Sequence, residues 1–424
     1  MTDITNEIFE KYEVRKTKKQ KMQFFDFLQA TARNEGYSVT SERIDKNGHN
    51  IVVGSPANAK VIYTAHYDTP AASFFPNIIT PKSIPLYLLY QILISVILFT
   101  IPALLIIWVP DLILSHSTSA FWPIFSILSG YSLIVIECYL LTSGPANKHN
   151  ANDNTSGVMT LIHIMKSMPA EARNQVAFIF FDLEEKGCIG SSAYRKAHKK
   201  ALKDVPVINF DCVSDGNNIL FAVNKKAARF KESLQKAFVS NDKYTVEVAT
   251  KGAFYPSDHK NFATGIGVGA LNKSKLGILY NNKIHTKNDV VYDEENIIFL
   301  AEGAIRLTEV LNITTAKEAT IDEATETEAV VQSPKSVTEE ITQDTFEATP
   351  EAIEETETSS DTAPESVEEA GINSETPSEI AEEAETSSDT APESVEEAEI
   401  NSETSSEIVE ETETSSDTVL VTEE

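Results

Sequence analysis

The chain has 424 residues and a formal net charge of −29. That charge is concentrated: residues 317–424 carry 35 Asp and Glu against 2 Lys and Arg, while residues 1–316 carry 29 against 33. The body is close to neutral and so says nothing about a charged partner; the acidity belongs to a C-terminal segment, and no nucleic-acid partner is expected. Three widely spaced cysteines, Cys138, Cys188 and Cys212, exclude a disulfide framework and have no CxxC spacing for a thiolate metal site.

The first twenty residues are polar and charged, with no apolar core of the kind a signal peptide needs. Met22, Phe24, Phe25, Phe27, Leu28 and Ala32 predict a helix that Gly36 can end. Residues 50–55 and 60–65 read as strands, and the second, KVIYTA, is apolar enough to be buried. It delivers His66, Tyr67 and Asp68 at its C-terminal end, where ligands collect in α/β sheets.

Residues 86–109 then run for 24 positions without a charge, and residues 120–142 carry only Glu137. About 20 apolar residues span a bilayer, so two transmembrane helices are expected. The loop between them contains Asp111 and no Lys or Arg, whereas Lys82 and Lys148 flank the pair. The positive-inside rule then predicts a multi-pass cell-membrane protein with its folded body and both termini in the cytoplasm.

A polar loop, KHNANDNTSG at 148–157, precedes a helix over 156–168. Residues 176–181, VAFIFF, read as a buried strand that stops at Asp182, with Glu184 and Glu185 directly after it. Adjacent carboxylates where a buried strand ends repel each other and need a cation or a shared proton. One can bind a metal while the other stays free as a base. Further strands are expected over 205–210, ending at Asp211, over 218–223, 244–250 and 268–271, with helices over 191–200, 227–240 and 294–312. Alternating strands and helices predict an α/β fold: a mixed, mostly parallel central sheet with helices on both faces. From residue 315 on, the composition turns to Glu, Thr, Ser and Ala, and SSDTAPESVEEA at Ser359 repeats 28 residues later at Ser387. Such a segment predicts a disordered acidic tail, whose partner the sequence does not name. The expected organisation is thus an N-terminal part of the folded domain at 1–84, an inserted hairpin at 85–143, the remainder of that domain at 144–314, and the tail at 315–424.

His66, Asp153, Glu184, Glu185, Asp211 and His285 each close a strand or sit in the loop beyond one. Imidazole with carboxylate suits zinc, and manganese or cobalt as substitutes. Two metals need a shared carboxylate plus about two more ligands each, which five of the six supply, leaving one as a base.

The motifs His66-Tyr67-Asp68, Asn152-Asp153-Asn154-Thr155-Ser156-Gly157, Asp182-Leu183-Glu184-Glu185 with Gly190-Ser191, Asn209-Phe210-Asp211, Ser257-Asp258-His259 and Ile284-His285-Thr286 to Asp289 resemble those of the M28 family of zinc aminopeptidases. The resemblance implies a zinc-exopeptidase-type fold and a peptide substrate. It implies that Asp153 bridges two Zn2+, that His66 and Asp211 complete one site, and that Glu185 and His285 complete the other. Glu184 would be the general base, Asp68 would orient His66, and Asp289 would do the same near His285. Tyr255 would supply a hydroxyl to the transition state or wall the pocket. The inserted hairpin departs from the family's soluble members. The alternatives are a glutaminyl-cyclase-like single-zinc enzyme or other zinc amidohydrolase, and a non-catalytic membrane adaptor on the same fold.

Overall fold

The computed structural model describes residues 3–46, 48–114 and 121–331. Residues 332–424, which hold most of the expected tail, and the hairpin loop at 115–120 lie outside the described residues. The chain divides into two units, the first ending at Val337, and only the first is described.

Nine strands form the sheet among the described residues: β1 (Val39–Arg43), β2 (His49–Gly54), β3 (Val61–His66), β4 (Val176–Phe181), β5 (Val207–Phe210), β6 (Asn218–Val223), β7 (Thr245–Ala249), β8 (Gly265–Lys273) and β9 (Leu279–Tyr280). Their order is β1-β2-β4-β3-β5-β8-β6-β7, with β9 on β8. The four central strands, β4-β3-β5-β8, are parallel, and antiparallel pairs flank them on both sides. The sheet is therefore mixed, as expected.

The central strands are buried on both faces, which is why they read as unbroken apolar runs rather than as alternation. Tyr63, Phe178 and Phe180 pack into one core with residues of α2 (Lys18–Asn34), α5 (Gly157–Ser167), α7 (Lys231–Ala237) and α8 (Glu294–Val331). Ile62, Ile179 and Phe181 point the other way, toward Tyr194 of α6 (Ile189–Ala197) and Phe262. An N-terminal helix, α1 (Asp3–Lys11), and strand β1 were not legible in the sequence. The helix expected over 227–240 is split into a 3-10 turn, Lys225–Phe230, followed by α7. Helix α8 runs on to Val331, past the residue 312 expected: residues 313–331 hold no Pro or Gly and are rich in Ala and Glu, which favour helix.

Between β3 and α5 lie α3 (Ile84–Leu114) and α4 (Phe121–Ser143), packed on each other. Their most apolar stretches, Ile84–Trp108 and Ile124–Ser143, have mean hydropathy 2.4 and 1.9, and only 6% and 11% of them is buried. A core helix of a soluble protein would be mostly buried; here Leu89, Ile92, Ile107 and Leu128 are exposed. Both helices are long and apolar enough to cross a membrane.

Candidate active site

Parallel pairing aligns the C-terminal ends of β4, β3 and β5. His66 is opposite Phe181 in register, and Thr64 is opposite Asn209. His66, the loop after Phe181 and Asp211 are thereby gathered at one edge of the sheet. The loop after β9 brings His285 to the same place. Asp153 enters from a kinked turn, Ala151–Ser156, ahead of α5, where Asp153 and Asn154 leave helical dihedrals and the bond between them is cis.

The six residues picked from the sequence converge. His66 Nε2 lies 3.2 Å from Asp153 Oδ1 and 3.6 Å from Asp211 Oδ1. His285 Nε2 lies 3.1 Å from the other oxygen of Asp153 and 3.4 Å from Glu185 Oε2. Donor atoms of His66, Asp153 and Asp211 all fall within 4.8 Å of one another, as do those of Asp153, Glu185 and His285, and those of His66, Glu184 and Glu185.

Buried polar contacts fix these positions. Asp68 accepts the backbone N–H groups of Glu184 at 3.1 Å and Glu185 at 3.3 Å, while its Oδ1 lies 3.5 Å from His66 Nδ1. Among the described residues Asp289 makes no hydrogen bond to His285; its two oxygens accept the N–H groups of Asn152 and Asp153 at 2.9 and 3.0 Å and so clamp the Asp153 turn. Asn152 accepts the N–H groups of Ser214 and Asp215, and Asn154 donates to the carbonyl of Phe210. Ser257 donates to Asp211 Oδ2 at 2.5 Å, and Asn209 donates to Ser257. Tyr255 is 2% exposed, and its hydroxyl donates to the Asp211 carbonyl at 2.7 Å, propping the Asp211 loop from below. Leu183, Cys188, Cys212 and His285 hold left-handed φ between 56° and 65°, unusual for non-glycine residues and concentrated around the site.

The cluster demands positive charge. Burial lifts the carboxyl of Glu184 well above its ordinary range, helped by Glu185, Asp258 and Asp211, and lifts Glu185 to about 8. Burial pushes Asp153 up too, but His285 and His66 outweigh it and leave Asp153 lowered. Burial lowers the two imidazoles, yet Asp211, Asp153 and Asp68 hold His66 well above its usual value, and Glu185 and Asp153 bring His285 to about 9. Glu185 Oε1 is buried with no hydrogen-bond partner. An orphan carboxylate oxygen, in a group of two imidazoles and four carboxylates, is what a divalent cation would satisfy, so the residues fit zinc.

A cleft of about 150 Å³ opens onto Asp153, Glu184, Glu185 and His285, and Tyr87 of α3 lines it together with Ile79 and Ile284. Tyr87 was hidden from sequence reasoning inside an apolar helix. So was Arg15, which is fully buried and ties the N-terminal segment to the site: its Nε donates to Tyr67 O at 2.6 Å and a terminal nitrogen to Thr155 Oγ1 at 3.1 Å. Nothing in a lysine-rich run marks one arginine as internal. Asp258, quoted in a motif without a role, accepts from Ser191 at 2.5 Å, and burial raises it to about 7.

The fold and site define a mixed α/β protein with a carboxylate–imidazole donor cluster at the C-terminal edge of its parallel strands. Residues 135–298 match the family model described as Peptidase family M28, so the resemblance read from the motifs holds. The match spans Asp153, Glu184, Glu185, Asp211 and His285 and stops short of His66 and Asp68, which the structure adds. No curated protein matches the sequence. Similar solved structures include a Zn-dependent exopeptidase from Parabacteroides distasonis, at 16% identity and TM-score 0.44, covering 72% of this chain and 94% of that one. A glutaminyl cyclase from Porphyromonas gingivalis is similar at 16% identity and TM-score 0.42, covering 68% and 90%. The LapA aminopeptidase of Legionella pneumophila is similar at 13% identity and TM-score 0.43, covering 72% and 69%.

Proposed function

We propose that the protein is a membrane-anchored dizinc aminopeptidase that removes N-terminal residues from peptides. The observation that carries this reading is Asp153, which turns one carboxylate oxygen toward each histidine, at 3.2 and 3.1 Å. Asp153 would be shared by two ions, His66 and Asp211 completing one set of ligands and Glu185 and His285 the other, in line with the two groups of converging donor atoms. Zinc bound there supplies a Lewis acid for the scissile carbonyl and acidifies the attacking water; manganese or cobalt suits the same donors.

Glu184 is the general base of this reading. Its backbone is pinned by Asp68, it lines the cleft, and burial raises its proton affinity above that of an ordinary carboxylate. It accepts a proton from water and delivers it to the leaving amine. Asp68 holds Glu184, Glu185 and His66 in place rather than touching substrate. Tyr255, expected at the transition state, acts in this geometry by fixing the Asp211 loop. The free α-amine of the substrate sits against the acidic groups around Asp153 and Glu185.

Helices α3 and α4 are the two bilayer spans. Lys82 and Lys148 flank them, and the connecting loop has no Lys or Arg, which supports a cytoplasmic body in the cell membrane. The reading is tested by native mass spectrometry of the detergent-solubilised full chain, with peptides bearing free and blocked amines assayed with and without chelator. Two zinc ions and chelator-sensitive cleavage restricted to free amines are expected. One zinc with cyclisation of N-terminal glutamine would make it a cyclase, and no metal with no turnover would make it an adaptor.

A further inference from the structure

A second cavity, of about 260 Å³, lies on the other side of Glu185, and four lysines line it: Lys16, Lys18, Lys21 and Lys186. Lys21 is committed to the buried carboxylate of Asp182. Lys16, Lys18 and Lys186 make no ion pair among the described residues. The carboxylates in the same wall are engaged elsewhere: Asp68 accepts from the Glu184 and Glu185 backbones, and Glu185 faces His285.

The cavity mouth also lies at the start of α2, whose first turn has Lys18, Lys19 and Lys21 and no acidic residue. Helix N-termini favour anions because their free N–H groups carry partial positive charge, so lysines there add like charge to like. Thr17 and Gln20 cap the helix through a reciprocal box, which meets the hydrogen-bonding need and leaves the charge uncompensated. Lys16 is half-buried and feels the carboxylates of Glu185 and Asp68 in the same wall without pairing directly with either, so burial of its ammonium is only partly offset and an anion in the cavity would offset more of it.

Glu185 is a wall of both this cavity and the catalytic cleft, so the two are one side chain apart. We propose that the lysine-lined cavity is a substrate subsite for the carboxylate of an acidic N-terminal side chain, so that the enzyme prefers peptides beginning with Glu or Asp. This rests on the aminopeptidase reading above. The cavity also touches Thr142 and Ser143 at the end of α4, so an anionic lipid headgroup is the competing occupant.

The test uses the full chain in detergent with two peptides of nearly equal shape, Glu-Ala-Ala and Gln-Ala-Ala, and calorimetric titration of free L-glutamate and L-glutamine. The expected kcat/KM ratio, Glu over Gln, is about tenfold, the scale of a partly screened ion pair. That ratio falls toward one in Lys16→Gln and in the exposed Lys186→Gln, and Lys16→Arg retains it. Turnover of both peptides at equal rates would overturn the subsite while leaving the peptidase reading standing. Tighter binding of glutamate than glutamine without any turnover would do the reverse. If the amino acids bind alike and the lysine variants instead lose affinity for soluble dioctanoyl phosphatidylglycerol, the lysines hold lipid and the proposal fails.

Discussion

Asp68 touches no reacting atom in this scheme, yet much of the site hangs on it. In Asp68→Ala the N–H groups of Glu184 and Glu185 lose the acceptors they have at 3.1 and 3.3 Å, and His66 loses a carboxylate 3.5 Å from Nδ1. Leaving a buried donor unpaired costs about 1–3 kcal/mol, and stripping one partner from a buried charge pair costs about 3–5 kcal/mol. These terms overlap, so a total of about 3–5 kcal/mol is expected, a drop in Tm on the order of 10 °C. Because the two pinned glutamates and His66 are the groups proposed to meet zinc and water, zinc affinity falls about 10- to 100-fold as well. Asp68→Asn keeps one acceptor oxygen and lands between. Thermal unfolding in detergent and zinc competition against a chelator measure both effects. A Tm within about 2 °C of the parent, with unaltered zinc affinity, would refute the reasoning, since both numbers come from the same three contacts.

Glu184→Gln removes the proton acceptor and keeps the shape, so metal content stays at the parent level while kcat falls about 10²- to 10⁴-fold; retained turnover would take the base role from Glu184. Gly157→Ala places a methyl group 2.3 Å from the Phe210 carbonyl at the start of α5; a strained or unfolded protein is expected, read as a loss of about 2 kcal/mol or more in denaturant. His259 is buried, and burial followed by Lys260 lowers its imidazole to about 3. The unfolded chain takes up that proton near the ordinary value of about 6.5, so this contribution to stability is complete above that pH and is lost as pH falls toward 3. His259→Gln is expected to flatten that part of the stability–pH curve.

The site was legible because its chemistry lies where pattern is strongest. His66, Glu184, Glu185 and Asp211 follow apolar runs that can only be buried strands, so charged residues directly after them stand out. Other parts carried no pattern. Helix α1 buries only Thr5 and Ile8, and β1 is an edge strand that faces mostly solvent. Strand β8 begins at Gly265, three residues before the expected start, because GIGVG reads as a loop. The glycines are there for packing: a Cβ at Gly267 would lie 2.4 Å from the His259 ring, and one at Gly269 would lie 2.5 Å from the Tyr255 hydroxyl. The roles of Asp289 and Arg15 depend on contacts between residues far apart in sequence, 137 positions for Asp289 with Asn152 and 52 and 140 for Arg15 with Tyr67 and Thr155, which no local spacing reports.

The first turns of the hairpin reach the candidate site. Tyr87 sits in the wall of the cleft that holds Asp153, Glu184 and His285, and packs against Phe254, with ring centroids 5.6 Å apart. On the proposed reading, in which α3 crosses a bilayer, the cleft that Tyr87 lines would lie close to the membrane, and the bilayer would restrict the directions from which a peptide could approach. In that reading folded domains would be disfavoured, and short or unstructured chain ends close to the membrane favoured. Selection among substrates would then begin with geometry, before any side chain is read.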